Sequence, residues 1–156
     1  MISINVFSDE RAWSKRLKKK ELFFKKICKL FPKKYQFSNK KVSLTLLLSN
    51  NKKIKKLNQT FRNKNKSTDI LSFPLNYKIK RRQYLGDIII SYEFMNRPKL
   101  ENNILFKKKV VKLFIHGFLH LNGYDHKKNV DFNKMQNKEI EISNTVEKKL
   151  EKINSK

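Results

Sequence analysis

The stretch His116-Gly117-Phe118-Leu119-His120-Leu121-Asn122-Gly123-Tyr124-Asp125-His126 holds all three histidines of the chain, and it decides how the residues around it are read. An α-helix turns about 100° per residue, so residues four apart stand one above the other on one face. The apolar run from about Ile104 to Leu121 predicts a helix that aims His116 and His120 at one point. Gly123 stands where that helix stops, because glycine takes the left-handed backbone that ends helices at no steric cost. The chain can then double back and bring His126 to the open side of the same point. Three imidazoles with a free fourth position form the donor set of a catalytic zinc site, where water or substrate fills the vacancy. A structural site more often closes its shell with cysteines or a fourth histidine, and the single cysteine, Cys28, lies far away on an apolar helix pattern. Imidazole donors in an open site favour zinc over iron or nickel without settling the element. The plainer reading, two histidines flanking a buried helix surface, leaves the glycine break and His126 unexplained.

On the N-terminal side of this helix, Leu85-Gly86-Asp87-Ile88-Ile89-Ile90-Ser91 predicts a strand, with Ser91 placed to cap the next helix and Pro98 keeping that helix short or kinked. Asp69-Ile70-Leu71-Ser72-Phe73 predicts a strand stopped by Pro74, and Asn76 to Gln83 reads as a basic turn or hairpin tip. Asn50 or Asn51 caps a short helix carrying Ile54, Leu57 and Phe61, and a polar loop, Asn63 to Ser67, follows. Val42 to Leu48 is apolar enough to be a central strand. Trp13, Leu17, Phe24, Ile27 and Phe31 recur at three- and four-residue spacing and predict one helix closed by Pro32. Ile2, Ile4 and Val6 alternate with polar residues as a half-buried strand ending near Ser8. Beyond the histidines, a last helix carries Phe132, Met135, Ile142, Val146 and Leu150 on one stripe. The sum is an α+β fold in a single domain over residues 1–156: a small mixed sheet of about four strands flanked by helices, one of them bearing the metal-binding histidines. No repeat, linker or low-complexity tract stands out beyond the lysine bias.

A chain of 156 residues suits one domain with a sizeable core. No signal peptide is visible in Met1 to Trp13, and the longest apolar stretches are far too short to span a bilayer. One cysteine allows no internal disulfide, and no disulfide-linked partner is expected; a reducing, cytoplasmic setting is. The formal net charge of +25 attracts polyanions and points to nucleic acid ahead of an anionic membrane. Part of that charge is compositional bias, because Lys, Asn, Ile and Phe are abundant while Gly and Pro number 3 each, the imprint of an AT-rich genome. Basic clusters at Lys18-Lys19-Lys20, Lys52-Lys53 with Lys55-Lys56, Arg81-Arg82 and Lys107-Lys108-Lys109 contrast with Glu139, Glu141, Glu147 and Glu151 near the C-terminus, so the two faces should differ in sign.

The histidine spacing, with its glycine, also marks metzincin-type proteases. In those enzymes the residue after the first histidine is the glutamate that takes a proton from the zinc-bound water. Here it is Gly117, and no methionine turn follows His126, so a metallopeptidase is the weaker reading. Hydrolysis assisted by the metal itself remains open, since bound zinc brings the pKa of its water to about 7. A phosphodiester is a fitting substrate, because its transition state gains from a Lewis acid and nearby positive charge.

The segment H-G-x-L-H-L-x-G-Y-D-H, His116 to His126, resembles the signature of the YbeY family, bacterial rRNA-maturation endoribonucleases that bind zinc. Two further segments agree in order and spacing. Leu57-Asn58 through Arg62 to Thr68-Asp69-Ile70-Leu71-Ser72-Phe73-Pro74 resembles the family's L-N-x-x-x-R…T-D-V-L-S-F-P block, and Leu85-Gly86-Asp87-Ile88 its L-G-D-I strand. The resemblance covers roughly Val42 to Gln136, with Ile70 in place of the commoner Val, and the first forty residues match only in pattern. It implies a single-strand-preferring, zinc-dependent endoribonuclease of ribosomal RNA, acting near the 3′ end of the small-subunit RNA and in ribosome quality control, with the small ribosomal subunit as partner. It implies one Zn²⁺ per chain on His116, His120 and His126, with Arg62 and His116 as catalytic residues.

Each further candidate has a plainer alternative. Arg62 ends a predicted helix, where a guanidinium can grip a phosphate bidentately or simply be solvated. Asp87, in an apolar strand, either orients a histidine or accepts backbone N–H groups. Asp125 and Tyr124 either hold the turn or accept an imidazole N–H, Tyr124 through its hydroxyl. Lys107, Lys108 and Lys109, two to three turns before His116, meet RNA backbone or form an ordinary solvated face. The alternative to an enzyme is a ribosome-assembly RNA-binding factor whose metal only fixes the fold.

Overall fold

Apolar residues alternating at a period of two build the centre of the molecule. In the computed structural model, which describes residues 1–75, 83–99 and 102–155, β1 (Ile2–Ser8), β2 (Val42–Ser49), β3 (Ile70–Pro74) and β4 (Tyr84–Ser91) form one sheet in the order β1-β2-β4-β3. The pairs β1/β2 and β2/β4 are parallel, and β3 runs antiparallel to β4, so the sheet is mixed. Val42, Leu44, Leu46 and Leu48 point to one side of β2, where each is buried, while Leu47 faces the other. Central strands covered on both faces need apolar residues at both parities, which is why β2 and β4 read as nearly continuous apolar runs.

The helices are α1 (Trp13–Arg16), α2 (Lys20–Leu30), α3 (Asn51–Arg62), α4 (Tyr92–Met95), α5 (Asn103–Leu121) and α6 (Asn129–Asn154). The main core fills the sheet face shared with α2, α5 and α6, where Phe24, Phe31, Phe106, Phe114 and Phe118 are all fully buried. Their rings meet in edge-on pairs, Phe24 with Phe114 at 5.2 Å and Phe31 with Phe118 at 5.0 Å between centroids. On the opposite face α3 seals a much smaller patch of Ile54, Leu71 and Ile89.

Three local expectations need correction. The single helix expected from Trp13 to Phe31 is two, broken where Leu17 is extended and Lys19 takes φ 47°. The break lets the Trp13 indole donate to the Ser49 carbonyl (2.9 Å) and pack edge-on against Tyr92 while α2 lies along β1. The spacing hid it because Trp13, Leu17 and Phe24 are buried on both sides of the break. Asn50 caps α3 as expected, accepting from the Lys53 N–H (2.9 Å), whereas Ser91 caps nothing and its hydroxyl faces Asn51 and Glu93 instead. On α6, Met135, Ile142 and Val146 are buried, but Phe132 remains 48% exposed near the helix start. The hairpin tip expected at Asn76 to Gln83 falls, apart from Gln83, outside the described residues. Among the described residues, no helix is long and apolar enough to cross a membrane.

Candidate metal centre

Helix α5 sets the site through the way its faces are distributed. Gly117 points at the sheet, so close that a Cβ there would lie 2.8 Å from Ile70 Cδ1 and 3.2 Å from two carbons of Ile88. Relative to that direction, Phe114 and Phe118 fall about 60° and 100° to one side and His116 and His120 about 100° and 60° to the other. The phenylalanines meet Phe24 and Phe31, on the side of α2 and β1. The histidines therefore face the other flank, toward the open edge of β3. The close packing at Gly117 also removes the place where a protease's glutamate would stand.

After Leu121 the helix closes with Asn122 N–H on Phe118 O (3.2 Å), Gly123 N–H on His120 O (3.0 Å) and Tyr124 N–H on Leu119 O (3.1 Å). Gly123 has φ +94°, the left-handed backbone expected of it. Asp125 then accepts from the His126 backbone N–H (2.7 Å), which holds its carboxyl below the usual carboxylate range and shapes the turn. The result brings ligand nitrogens of His116, His120 and His126 within 4.8 Å of one another, with His126 the most exposed of the three.

The hydrogen bonds decide which nitrogens are free. His120 Nδ1 lies 2.9 Å from the Tyr124 carbonyl, and His116 Nδ1 contacts the Glu139 carboxylate on α6. A carbonyl and a carboxylate oxygen accept, so each Nδ1 carries a proton, and in the neutral ring each Nε2 then presents its lone pair. Those two Nε2 atoms are 3.1 Å apart. Facing lone pairs at that distance repel unless a cation lies between them, and two nitrogens bound to one tetrahedral zinc at about 2.0–2.1 Å stand about 3.3 Å apart. The donor set thus fits a divalent metal. Burial first, and the electrostatic effect of the neighbouring His116 second, outweigh the Tyr124 hydrogen bond and hold the His120 pKa below its ordinary value, which favours the neutral, ligating form.

The other candidates take different places. Arg62, the last residue of α3, sends Nη2 to the Ser72 carbonyl (3.2 Å) and lies over the Phe73 ring, 5.9 Å from its centroid. Ladder bonds to β4 use Asp69 and Leu75, so the even-numbered Ser72 carbonyl points to the open edge of β3. Arg62 and the histidines therefore open toward the same sheet edge. The Ser72 hydroxyl is buried there without a hydrogen-bond partner among the described residues. Tyr124 serves through its backbone carbonyl rather than its hydroxyl. Asp87 is exposed, accepts from the Tyr84 hydroxyl, and lies on the strand face opposite Ile88, away from α5. Lys107 and Lys108 line a groove against α2 and α6, while Lys109, seven residues before His116 and on its stripe, donates to the Arg97 carbonyl. Glu139 was missed as a site residue, although four residues after the buried Met135 it continues the inward stripe of α6, and an acid on such a stripe is a signal.

A mixed α+β fold with two histidines on one helix and a third on the turn that follows it, open at the sheet edge, defines a class of proteins able to hold a metal ion and leave room for a substrate. The family model described as endoribonuclease YbeY matches residues 7–147. The chain belongs to the endoribonuclease YbeY family. Among its relatives, the endoribonuclease YbeY of Pelagibacter ubique is 61% identical over 137 residues, covering 86% of this chain and 90% of that protein. The endoribonuclease YbeY of Ehrlichia canis is 34% identical over 142 residues, 91% of this chain and 90% of the relative. A solution structure of a Thermotoga maritima protein superposes with a TM-score of 0.56 at 26% identity, covering 96% of this chain and 93% of that one. The family match extends well beyond the Val42 to Gln136 stretch that carries the motifs.

Proposed function

We propose that residues 1–156 act as one cytoplasmic domain, a zinc-dependent endoribonuclease preferring unpaired RNA, which matures the 3′ end of small-subunit ribosomal RNA and serves ribosome quality control. The observation that carries the reading is the pair of Nε2 lone pairs 3.1 Å apart, their tautomers fixed by Glu139 and Tyr124. His116, His120 and His126 hold one Zn²⁺ per chain. A metal bound there supplies Lewis acidity, polarising a phosphoryl oxygen and making a water or an RNA 2′-hydroxyl a better nucleophile. Arg62 grips the scissile phosphate with two parallel N–H groups and offsets charge as it develops. Glu139 keeps His116 in the ligating tautomer, and its carboxylate also offsets positive charge on that ring. Lys109, on the histidine stripe, meets the RNA backbone, with Lys107 and Lys108 adding longer-range attraction on the neighbouring face. The +25 net charge draws ribosomal RNA to this surface.

The test is metal content and RNA cleavage on one purified sample, wild type beside His120→Ala and Arg62→Ala, with a structured rRNA 3′ fragment and a peptide control. Zinc near one per chain and RNA cut by the wild type only are expected. Arg62→Ala should retain zinc but lose about 10²- to 10³-fold in cleavage, the usual effect of deleting one donor to the transition state. Zinc bound with no RNA cut, even with ribosomes added, would overturn the reading. A 2′,3′-cyclic phosphate at the new end would assign the nucleophile to the RNA itself.

A further inference from the structure

Beside Arg62 lies a second feature that metal chemistry does not use. Phe61 is 65% exposed at the C-terminal end of α3. Single exposed phenylalanines are ordinary, but this one is not isolated. Its ring meets Phe73 edge-on at 5.4 Å between centroids, and the Arg62 guanidinium lies over the same Phe73 ring. The edge-on contact covers only part of the ring, and Phe61 leaves most of its surface in water. Around this ledge the charge is positive: Lys64 and Lys66 follow α3, and Lys52, Lys53, Lys55 and Lys56 lie along it. An aromatic face standing in a basic field is the chemistry that receives a nucleobase while the backbone is held electrostatically. The ledge lies on the α3 side of the β3 edge and the histidines on the α5 side, so a strand crossing that edge passes Arg62 between them.

We infer that Phe61 is a positioning residue that stacks one unpaired base of the RNA substrate next to the phosphate held by Arg62. Stacking needs a base free of its helical partner, so the ledge favours single strands over duplexes and fixes where along a strand the cut falls. The inference rests on the endoribonuclease reading above. It adds a subsite outside the metal centre, and it implies that bases on one side of the cut contribute more to affinity than those on the other.

The test uses the full chain and a short unpaired RNA carrying 2-aminopurine, moved one position at a time along the strand. Binding is followed by fluorescence in chelator, where no cleavage occurs, and kcat and KM are measured separately with the metal-loaded protein. Wild type and Phe61→Tyr should quench the probe at one position. Phe61→Leu and Phe61→Ala should lose that quenching and bind about 5- to 150-fold more weakly, the range that one base–aromatic stack spans. KM should rise while kcat changes little, because the residue touches no reacting atom. Phe61→Leu binding RNA as tightly as wild type would overturn the inference and leave a ledge suited to an apolar protein partner. If wild type quenches and cuts RNA but every Phe61 variant matches it, the ledge alone fails. Absence of cutting by wild type would fail the endoribonuclease reading instead, and the quenching data would still decide whether the ledge holds a base.

Discussion

The two faces of the sheet are built to different depths, and the candidate site draws on both. Under α2, α5 and α6 lies a core with five fully buried phenylalanines, and His116 and His120 project from the helix pressed closest to it. Under α3, among the described residues, only Ile54, Leu71 and Ile89 are buried together, and Arg62 and Phe61 stand exposed at the helix end above them. A metal centre needs ligands held to within fractions of an ångström, which the deep side supplies through packing and fixed tautomers. A group that grips a flexible RNA strand gains from some freedom, and a thinly packed helix end allows it. In the proposed site the rigid half and the adaptable half would thus come from opposite faces of the sheet.

The sharpest way to break this contrast is to hollow out each side in turn. Phe114→Ala on α5 should cost about 3–5 kcal/mol, because the ring is fully buried between Phe24 and Phe31 and its neighbours cannot close the gap. Ile54→Ala on α3 should cost about 2 kcal/mol, at the low end for such a truncation, because a thin patch collapses more readily. Urea unfolding followed by circular dichroism measures both. Equal costs would show that the α3 face is as tightly held as the other and remove the basis for an adaptable Arg62.

A smaller effect tests the coupling of α6 to the histidines. Glu139→Ala removes the acceptor that fixes the His116 tautomer, and metal affinity should fall about 10- to 100-fold with little loss of secondary structure. Competition with a chromogenic chelator reads that affinity directly. Unchanged affinity would mean that Glu139 merely pairs with an imidazole that α5 already orients.

How much of this was legible in the chain differs between the same two faces. The four strands, α5, the Gly123 turn and the convergence of the three histidines could be read because each is local: a period of two, a period of 3.6 and a glycine in the left-handed region. The resemblance to the YbeY family added Arg62, which no periodicity singles out. What could not be read was tertiary. Whether Asp87 points at α5 or away depends on which parity of β4 faces the helix, and Ile88 and Ile90 take that face. The partner of His116 sits 23 residues later on another helix, at a register only packing determines. The break between α1 and α2 was invisible because burial of Trp13 at the end of β2 reproduces helical spacing across a non-helical residue.

Away from the site, the same contrast is tested by Cys28, buried on α2 in the deep core, where burial pushes its thiol from 9.0 up to about 12. An acid whose pKa is raised by folding keeps its proton in the native state after the unfolded chain has released it. Below pH 9 both states are protonated and nothing is lost; above it the unfolded state binds fewer protons, and stability falls as pH climbs from 9 toward 12. The slope reaches about 1.4 kcal/mol per pH unit for this single group. Urea midpoints measured across that range should therefore decline for wild type more steeply than for Cys28→Ala, whose midpoint starts lower because of the small cavity but carries no thiol to titrate. At pH 8 a thiol reagent should label the native chain slowly and the urea-unfolded chain at once, since only the thiolate reacts and the core excludes the reagent. Rapid native labelling would mean that α2 opens readily, which would make the deep face as mobile as the shallow one.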